Sequence, residues 1–161
     1  MIELQSHSTC SDGELPPAGV VEAARDAGVT VLSLSDHDSI DGLAEAQGVA
    51  DAAGIELLPA VEISCVHPLA EDLHVLGYGI DPDRIQPACL RAQEERVWRA
   101  KQIVERLNAR GVEVRFEDAV AQAGDASSIG RPHIARAAGA TDMKSFFERY
   151  LVPGAEAFVA R

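Results

Sequence analysis

Short apolar runs alternate with amphipathic stretches over the first 80 residues. Residues 16–28 and 43–54 have alanines and valines at helical spacing, and each stretch ends at a glycine. The apolar runs that we interpret as strands are IELQ (2–5), TVLSLS (30–35), IELLPAVEIS (55–64) and DLHVLGYGI (72–80). This alternation predicts an α/β fold in which crossover helices join parallel strands.

The pattern becomes helical after Asp81. Residues 83–110 carry apolar side chains at helical spacing with many charged residues between them, and Gly111 follows. This pattern predicts one long helix that ends at the glycine. Shorter helices are predicted within FEDAVAQAG, RPHIARAAG and DMKSFFERYL, and AFVAR is the predicted start of a strand. The expected organisation is an α/β part over 1–81, a mostly helical part over 82–153 and a returning strand that begins within 154–161.

Charge and cysteine content narrow the function. The chain has 26 acidic residues against 14 lysines and arginines, a formal charge of −12, which disfavours broad nucleic-acid binding. An anionic substrate therefore needs a local cationic site. Because no apolar stretch approaches the roughly 18 residues of a membrane span, and the N-terminus does not look like a signal peptide, we expect a protein that is not in the membrane. The three cysteines share no CxxC spacing, which fits a reducing cytoplasm.

Ligand-type side chains accompany each predicted strand. Gln5 and His7 share one face at the end of the first strand, and Asp12 lies in the loop that follows. The second strand ends in SDHDS, the third contains Glu62, and the fourth contains His74. Each residue taken alone is better explained as a packed histidine or a capping aspartate than as a ligand. Their recurrence beside four strands favours a mixed histidine and carboxylate site for Zn, Mn or Fe.

Four motifs also resemble a known family. HSTCSDG, SLSDHDSIDGLAEA, LLPAVEIS and DLHVLGYGID resemble, in order and spacing, the N-terminal half of the PHP (polymerase and histidinol phosphatase) superfamily. SIGRPHIARA and FFERYLVPG resemble the helical insertion of members that act on nucleotides, the 3′,5′-nucleoside bisphosphate phosphatase type among them. The resemblance implies the first part of a distorted (β/α)7 barrel with a helical insertion. It also implies a metal-dependent phosphoesterase that uses up to three divalent ions of Mn, Zn, Fe or Mg.

The resemblance assigns roles to particular residues. His37 and Asp38 are the expected catalytic residues, and Arg131 and His133 fall where the family binds substrate phosphate. An exposed helix start with Pro132 in its first turn explains the last two equally well. The metal ligands that the resemblance implies are His7, Asp12, His37, Glu62 and His74.

Two departures from the family pattern leave a second hypothesis open. Gln5 stands where the family has its first histidine, and the family's late ligands lie beyond this sequence. Our first hypothesis is hydrolysis of a phosphate monoester of a nucleotide or similar small molecule. The alternative is an impaired or truncated module that binds metal, nucleotide or protein. Because an open parallel sheet has an unpaired edge, we also expect a longer natural chain or a homo-oligomer. The helical insertion disfavours a histidinol phosphatase or a polymerase domain.

Overall fold

The computed structural model describes residues 1–160, except for the side chain of Glu71. Its strands are β1 (Ile2–Ser6), β2 (Val31–Leu34), β3 (Glu56–Leu57), β4 (Ala60–His67) and β5 (Ala70–Tyr78). Its helices are α1 (Pro17–Asp26), α2 (Leu43–Ala53), α3 (Pro82–Asn108), α4 (Phe116–Ala123), α5 (Arg131–Ala137) and α6 (Met143–Phe146). A π-helical turn over Phe147–Leu151 follows α6. Within residues 1–160, no helix combines the length and the apolar character needed to cross a membrane.

The first sheet has the topology that the sequence predicts. β1, β2 and β3 are parallel in that order, and α1 and α2 are the crossover helices. Val21, Leu32 and Leu34 are buried between the sheet and these helices because the apolar residues recur on one face of each element. Gly54 ends α2 with φ of +70°, a left-handed backbone that glycine adopts without strain.

The next part of the sheet differs from the prediction. The predicted third strand is divided at Pro59 into β3 and β4, and β4 pairs with β5 in an antiparallel hairpin that forms a second sheet. The prediction of a fourth parallel strand was therefore wrong. A single parallel bridge between His37 and Glu62 connects the hairpin to the end of β2. The two sheets establish a mixed α/β fold, whereas a closed (β/α)7 barrel stays a prediction.

A second core lies in the helical part. It contains Ile103 and Leu107 of α3, Ile134 of α5 and Leu151 of the π-helical turn. The predicted returning strand is not a strand over residues 157–160, and Arg161 lies outside the described residues. The segment is instead a buried extension against α3, since the Arg99 Nε donates to the carbonyl oxygen of Val159 at 2.7 Å. The presence of two cores is consistent with the predicted division near residue 81. The position of the domain boundary stays a prediction.

The loop after β1 depends on Gly13. A β-carbon at this position would lie 2.2 Å from the backbone oxygen of His7, whereas one at the exposed Gly48 of α2 would meet no atom outside its own helical turn within 4 Å. We therefore expect Gly13→Ala to lower the free energy of unfolding by about 1–3 kcal/mol because the loop must shift. Gly48→Ala should raise it by about 0.5–1 kcal/mol through helix propensity. Urea unfolding measures both, and an unchanged Gly13→Ala variant would contradict the predicted clash.

Candidate metal centre

A buried carboxylate shapes the loop that brings the first ligands together. Asp36, at the end of β2, accepts hydrogen bonds from the Ser8 backbone N–H and the Ser8 Oγ, both at 2.7 Å, and from the Ser11 Oγ at 2.6 Å. Because Asp36 and both serines are almost fully buried, these contacts fix the loop between β1 and α1 to the end of β2. His7 and Asp12 lie in this loop, so their positions depend on Asp36. The sequence alone grouped Asp36 with ligand-type residues and did not predict this supporting contact.

Three imidazoles converge on one carboxylate. The Glu62 Oε1 lies 2.8 Å from the His74 Nδ1 and 3.5 Å from the His37 Nδ1, and the Glu62 Oε2 lies 3.3 Å from the His7 Nε2. Asp12 lies beside the same histidines, at 3.6 Å from the His7 Nδ1 and 3.8 Å from the His37 Nε2. The structure therefore brings together all five residues that the sequence proposed as ligands, while their role as ligands stays a prediction.

His74 joins this cluster for a reason that differs from the prediction. It lies inside β5, opposite Ser64 of β4, and not at the carboxyl end of a parallel strand. The antiparallel hairpin turns its inner face toward the ends of β1 and β2, and that face presents both Glu62 and His74. His74 therefore lies in the cluster, and its role as a ligand stays a prediction, whereas the predicted parallel topology of its strand is wrong.

The donor atoms fit a divalent metal ion. One donor atom from each of His7, His37 and Glu62 lies within 4.8 Å of the others. The His7 Nδ1 is buried and makes no hydrogen bond to any described residue, and the Nδ1 atoms of His37 and His74 face each other at 3.2 Å. A bound cation would satisfy the buried ring nitrogen of His7, and it would also relieve the contact between the ring nitrogens of His37 and His74. Imidazole and carboxylate together suit Zn, Mn or Fe.

The protonation states also favour metal binding. Burial lowers the pKa of His37 to about 4, and the nearby Asp12 carboxylate only partly offsets this effect. His37 is therefore neutral near pH 7, with a lone pair available to a metal. Burial raises the pKa of Glu62, but the adjacent His37 and the hydrogen bond from Gln5 outweigh this effect. The pKa of Glu62 is therefore below its ordinary value. The cluster thus combines a neutral imidazole with an ionised carboxylate.

Gln5 takes part in the cluster as a hydrogen-bond donor. Its Nε2 donates to the Glu62 Oε2 at 2.8 Å. The amide therefore stabilises the carboxylate of Glu62, whereas an imidazole at this position could offer a lone pair to a metal. Gln5 keeps the cluster assembled and reduces its number of nitrogen donors.

An arginine-lined pocket adjoins the cluster. Its cavity volume is about 90 Å³. Asp12, His37 and His74 lie on its metal side; the arginines that line it are Arg96, Arg99 and Arg131. Arg96 and Arg99 were not predicted as pocket residues, because charged residues on a long helix are usually exposed. A signal for them does exist, since they follow the buried Ala92 and precede the buried Ile103 at helical spacing.

Asp38 supports this arginine wall. Its carboxylate is fully buried, receives hydrogen bonds from the Ser64 N–H and Oγ at 2.7 Å each, and lies 2.5 Å from the Arg96 Nε. Burial raises its pKa, but the charge of Arg96 and the Ser64 hydrogen bonds lower the pKa below its ordinary value. Asp38 therefore contacts an arginine of the pocket and is not itself among the residues that line it. Its expected catalytic role stays a prediction, and the structure connects Asp38 to the pocket through Arg96.

Arg131 and His133 are not an exposed helix start. The Arg131 Nη2 lies 2.5 Å from the Asp72 Oδ2, and its Nη1 donates to the carbonyl oxygen of Leu151 at 3.1 Å. His133 is 3% exposed, and its Nδ1 accepts a hydrogen bond from the Gly130 N–H at 3.0 Å. The alternative interpretation is therefore wrong about exposure, although α5 does begin at Arg131 with Pro132 in its first turn. Arg131 lies in the pocket as a phosphate-binding residue should, whereas the contact that the structure gives His133 fixes the start of α5.

These features define a mixed α/β protein with a histidine and carboxylate cluster beside a cationic pocket. No family model matches the chain. Among curated relatives, the 3′,5′-nucleoside bisphosphate phosphatase of Chromobacterium violaceum is 36% identical over an alignment of 167 positions that covers 99% of this chain and 58% of the relative. A 5′-3′ exoribonuclease of Haemophilus influenzae is 36% identical over an alignment of 163 positions that covers 98% of this chain and 58% of the relative.

Solved structures agree with these relatives. An amidohydrolase from Chromobacterium violaceum, solved with bound sulfate and no metal, superposes with a TM-score of 0.90 at 34% identity, over 99% of this chain and 58% of that one. A candidate metal-dependent phosphoesterase from Bifidobacterium adolescentis superposes with a TM-score of 0.86 at 29% identity, over 98% and 58%. The predicted similarity to the metal-dependent phosphoesterases of the PHP type, over part of their length, is confirmed. The chain spans about 58% of the length of these relatives.

The position of Gln5 allows a direct test of the metal site. In Gln5→His an imidazole replaces the amide beside Glu62, and we expect Mn²⁺ or Zn²⁺ to bind about tenfold more tightly because one nitrogen ligand is added. Isothermal titration calorimetry measures this affinity. Gln122→His, on the exposed face of α4, is the matched control and should leave the affinity unchanged. Equal affinities for the wild type and Gln5→His would contradict a metal site at Glu62.

Proposed function

We propose that this site hydrolyses a phosphate monoester of a nucleotide or a similar small molecule with divalent metal ions. The observation that supports this most directly is one pocket that has the histidine and carboxylate cluster on one wall and arginines on another. Relatives named as phosphatases and exoribonucleases support the same class of reaction. Because the chain spans 58% of those relatives, the activity of the whole protein is part of this proposal.

The pocket supplies the local positive charge that an acidic chain needs for an anionic substrate. Guanidinium groups bind the oxygens of a phosphate in a fork geometry. Arg131 reaches the pocket from α5, and Arg96 and Arg99 reach it from α3. The sulfate in the related Chromobacterium structure is an anion similar in shape and charge to phosphate.

The chain's own groups have distinct tasks in the proposed reaction. His7, His37, His74 and the carboxylates of Asp12 and Glu62 would hold two or three divalent ions. Such ions supply positive charge to the phosphate and a nucleophile derived from water at neutral pH. Arg131 would hold the non-bridging oxygens, so that the phosphorus faces the cluster. The neutral state of His37 keeps it a ligand in this pH range.

The apolar side of the pocket suggests how the leaving group is bound. Ile103, Ile134 and Phe147 line the pocket together with the arginines. An apolar or aromatic group, such as a nucleobase, would pack against them and exclude water. A small nucleotide fits this wall better than a long nucleic acid does, because the chain carries a formal charge of −12.

We infer that the metals are Mn, Zn, Fe or Mg and that the reaction is cytoplasmic.

One observation favours a second candidate, a module that binds metal or nucleotide with little turnover. The Gln5 amide already satisfies one oxygen of Glu62. The cluster is therefore stabilised in part without an ion, and one nitrogen ligand is missing. Metal content separates the two candidates, since the enzyme requires two or more equivalents of Mn or Zn per chain and the module requires fewer.

His37→Ala tests the proposed function. This histidine contacts both the cluster and the pocket, so we expect the rate of phosphate release from a nucleoside bisphosphate to fall by about 100-fold or more. His67→Ala removes an exposed histidine of the same hairpin and should leave the rate unchanged. Circular dichroism confirms that both variants fold. Unchanged turnover in His37→Ala, or wild-type protein with metal close to zero and no phosphate release, would contradict the proposal and favour the module.

A further inference from the structure

Two aspartates have a backbone conformation that disfavours most side chains. Within residues 1–160, Asp38 with φ of +51° and Asp72 with φ of +59° are the non-glycine residues with positive φ. The left-handed region is strained for most residues and persists only where the surrounding contacts hold it. Both aspartates contact an arginine that lines the pocket, Asp38 through Arg96 and Asp72 through Arg131. The strain therefore coincides with the support of the cationic wall.

Asp72 contacts two arginines from two different helices. Its Oδ2 lies 2.5 Å from the Nη2 of Arg131 in α5, and its Oδ1 accepts hydrogen bonds at 3.4 Å from the Nη1 and Nη2 of Arg99 in α3. Each oxygen serves a different guanidinium. One carboxylate thus fixes the spacing of both groups.

The position of Asp72 relative to the pocket indicates how it acts. Arg99 and Arg131 line the pocket beside His37 and His74, but Asp72 does not. Asp72 lines a different cavity, under the turn of the hairpin. It therefore contacts both arginines without being among the residues that line their pocket, and it also lies 3.8 Å from the Nε2 of His74.

Backbone carbonyl groups provide a second contact for each arginine. The Arg131 Nη1 donates to Leu151, and the Arg99 Nε donates to Val159. Ordering an arginine side chain costs rotamer entropy, and a side chain held at two points has lost most of that entropy before a ligand binds. The pocket is preorganised in this sense, with Asp72 as the contact that the two arginines share.

We propose that Asp72 is a positioning residue that orients Arg99 and Arg131 to receive the phosphate group of the substrate. This inference rests on the proposed phosphoesterase function and adds a residue that the sequence analysis did not assign. The opposite role would be competition, in which the carboxylate occupies the arginines in place of phosphate. The two roles predict opposite changes in phosphate affinity when the carboxylate is removed.

Asp72→Asn and Asp72→Gly provide the test because asparagine and glycine both tolerate a left-handed backbone. The probe is inorganic phosphate, titrated by calorimetry into the full chain with Mn²⁺ present. We expect the Kd for phosphate to rise about threefold in Asp72→Asn, which keeps a neutral acceptor, and about tenfold in Asp72→Gly, which keeps none. Asp118→Asn, which breaks an exposed ion pair with Arg115 at 2.6 Å, is the matched control and should change nothing.

Two further measurements separate positioning from a general effect on stability. In an Arg131→Gln background, Asp72→Asn should cause a smaller loss of phosphate affinity than in the wild type, because one of the two oriented arginines is absent. The affinity for Mn²⁺ is measured separately, because the Asp72 Oδ1 also lies 3.8 Å from the Nε2 of His74, a candidate metal ligand. The phosphate titrations use saturating Mn²⁺, so that a change in metal affinity does not alter the Kd for phosphate.

Several outcomes would overturn the inference. Tighter phosphate binding in both variants would indicate competition. An equal loss with and without Arg131, or no phosphate binding by the wild type, would remove the positioning role. Failure of the proposed function has a separate signature, which is wild-type protein that binds phosphate and releases none from an ester. In that case a weaker Kd in the Asp72 variants would still establish the positioning of the arginines.

Discussion

The buried carboxylate of Glu62 is the group on which the rest of the site depends. It accepts a hydrogen bond from Gln5 and lies within 3.5 Å of an imidazole nitrogen from each of His7, His37 and His74. A buried carboxylate is costly unless polar partners surround it, and here the partners come from β1, β2 and β5 or from the loops that follow β1 and β2. In the described residues, the bridge between His37 and Glu62 is the one β-bridge that joins the hairpin to the first sheet, and hydrogen bonds from Ser64 to Asp38 and from Tyr78 to Leu4 accompany it. The polar contacts of Glu62 therefore lie at the junction between the hairpin and the sheet.

The arginine wall of the pocket also depends on the pairing of buried charges, and here the buried charges are positive. Three buried or half-buried arginines would repel one another if they had no carboxylate partners. Asp38 and Asp72 supply these partners, Asp38 to Arg96 and Asp72 to Arg131, and both have a positive φ. Each guanidinium of this wall is thus paired with a carboxylate that does not line the pocket, or with a backbone carbonyl. A phosphate that enters this pocket meets donors whose positions are already determined.

The sequence predicted the parts of this arrangement that follow from periodicity and from side-chain chemistry. The alternation of strands and helices up to residue 57 was correct, and all five candidate ligands lie in one cluster. The hairpin was not predicted, because residues 55–64 are apolar on both sides of Pro59 and show no break in pattern. The arginine wall was missed because a charged residue on a long helix is usually exposed. The role of Asp72 depends on a positive φ, which leaves no trace in the spacing of the residues.

Gln5 shows how one substitution changes the balance between stability and metal affinity. An amide N–H satisfies the Glu62 oxygen without an ion and contributes to the lowered pKa of that carboxyl group. It also occupies one of the lone pairs with which a carboxylate bridges two metals. An imidazole would contribute a ligand in place of a donor, and the cluster would then need the ion to offset the contacts between its nitrogens. The residue at position 5 therefore affects how far the assembly of the cluster depends on metal, whereas the arginine pocket does not depend on it.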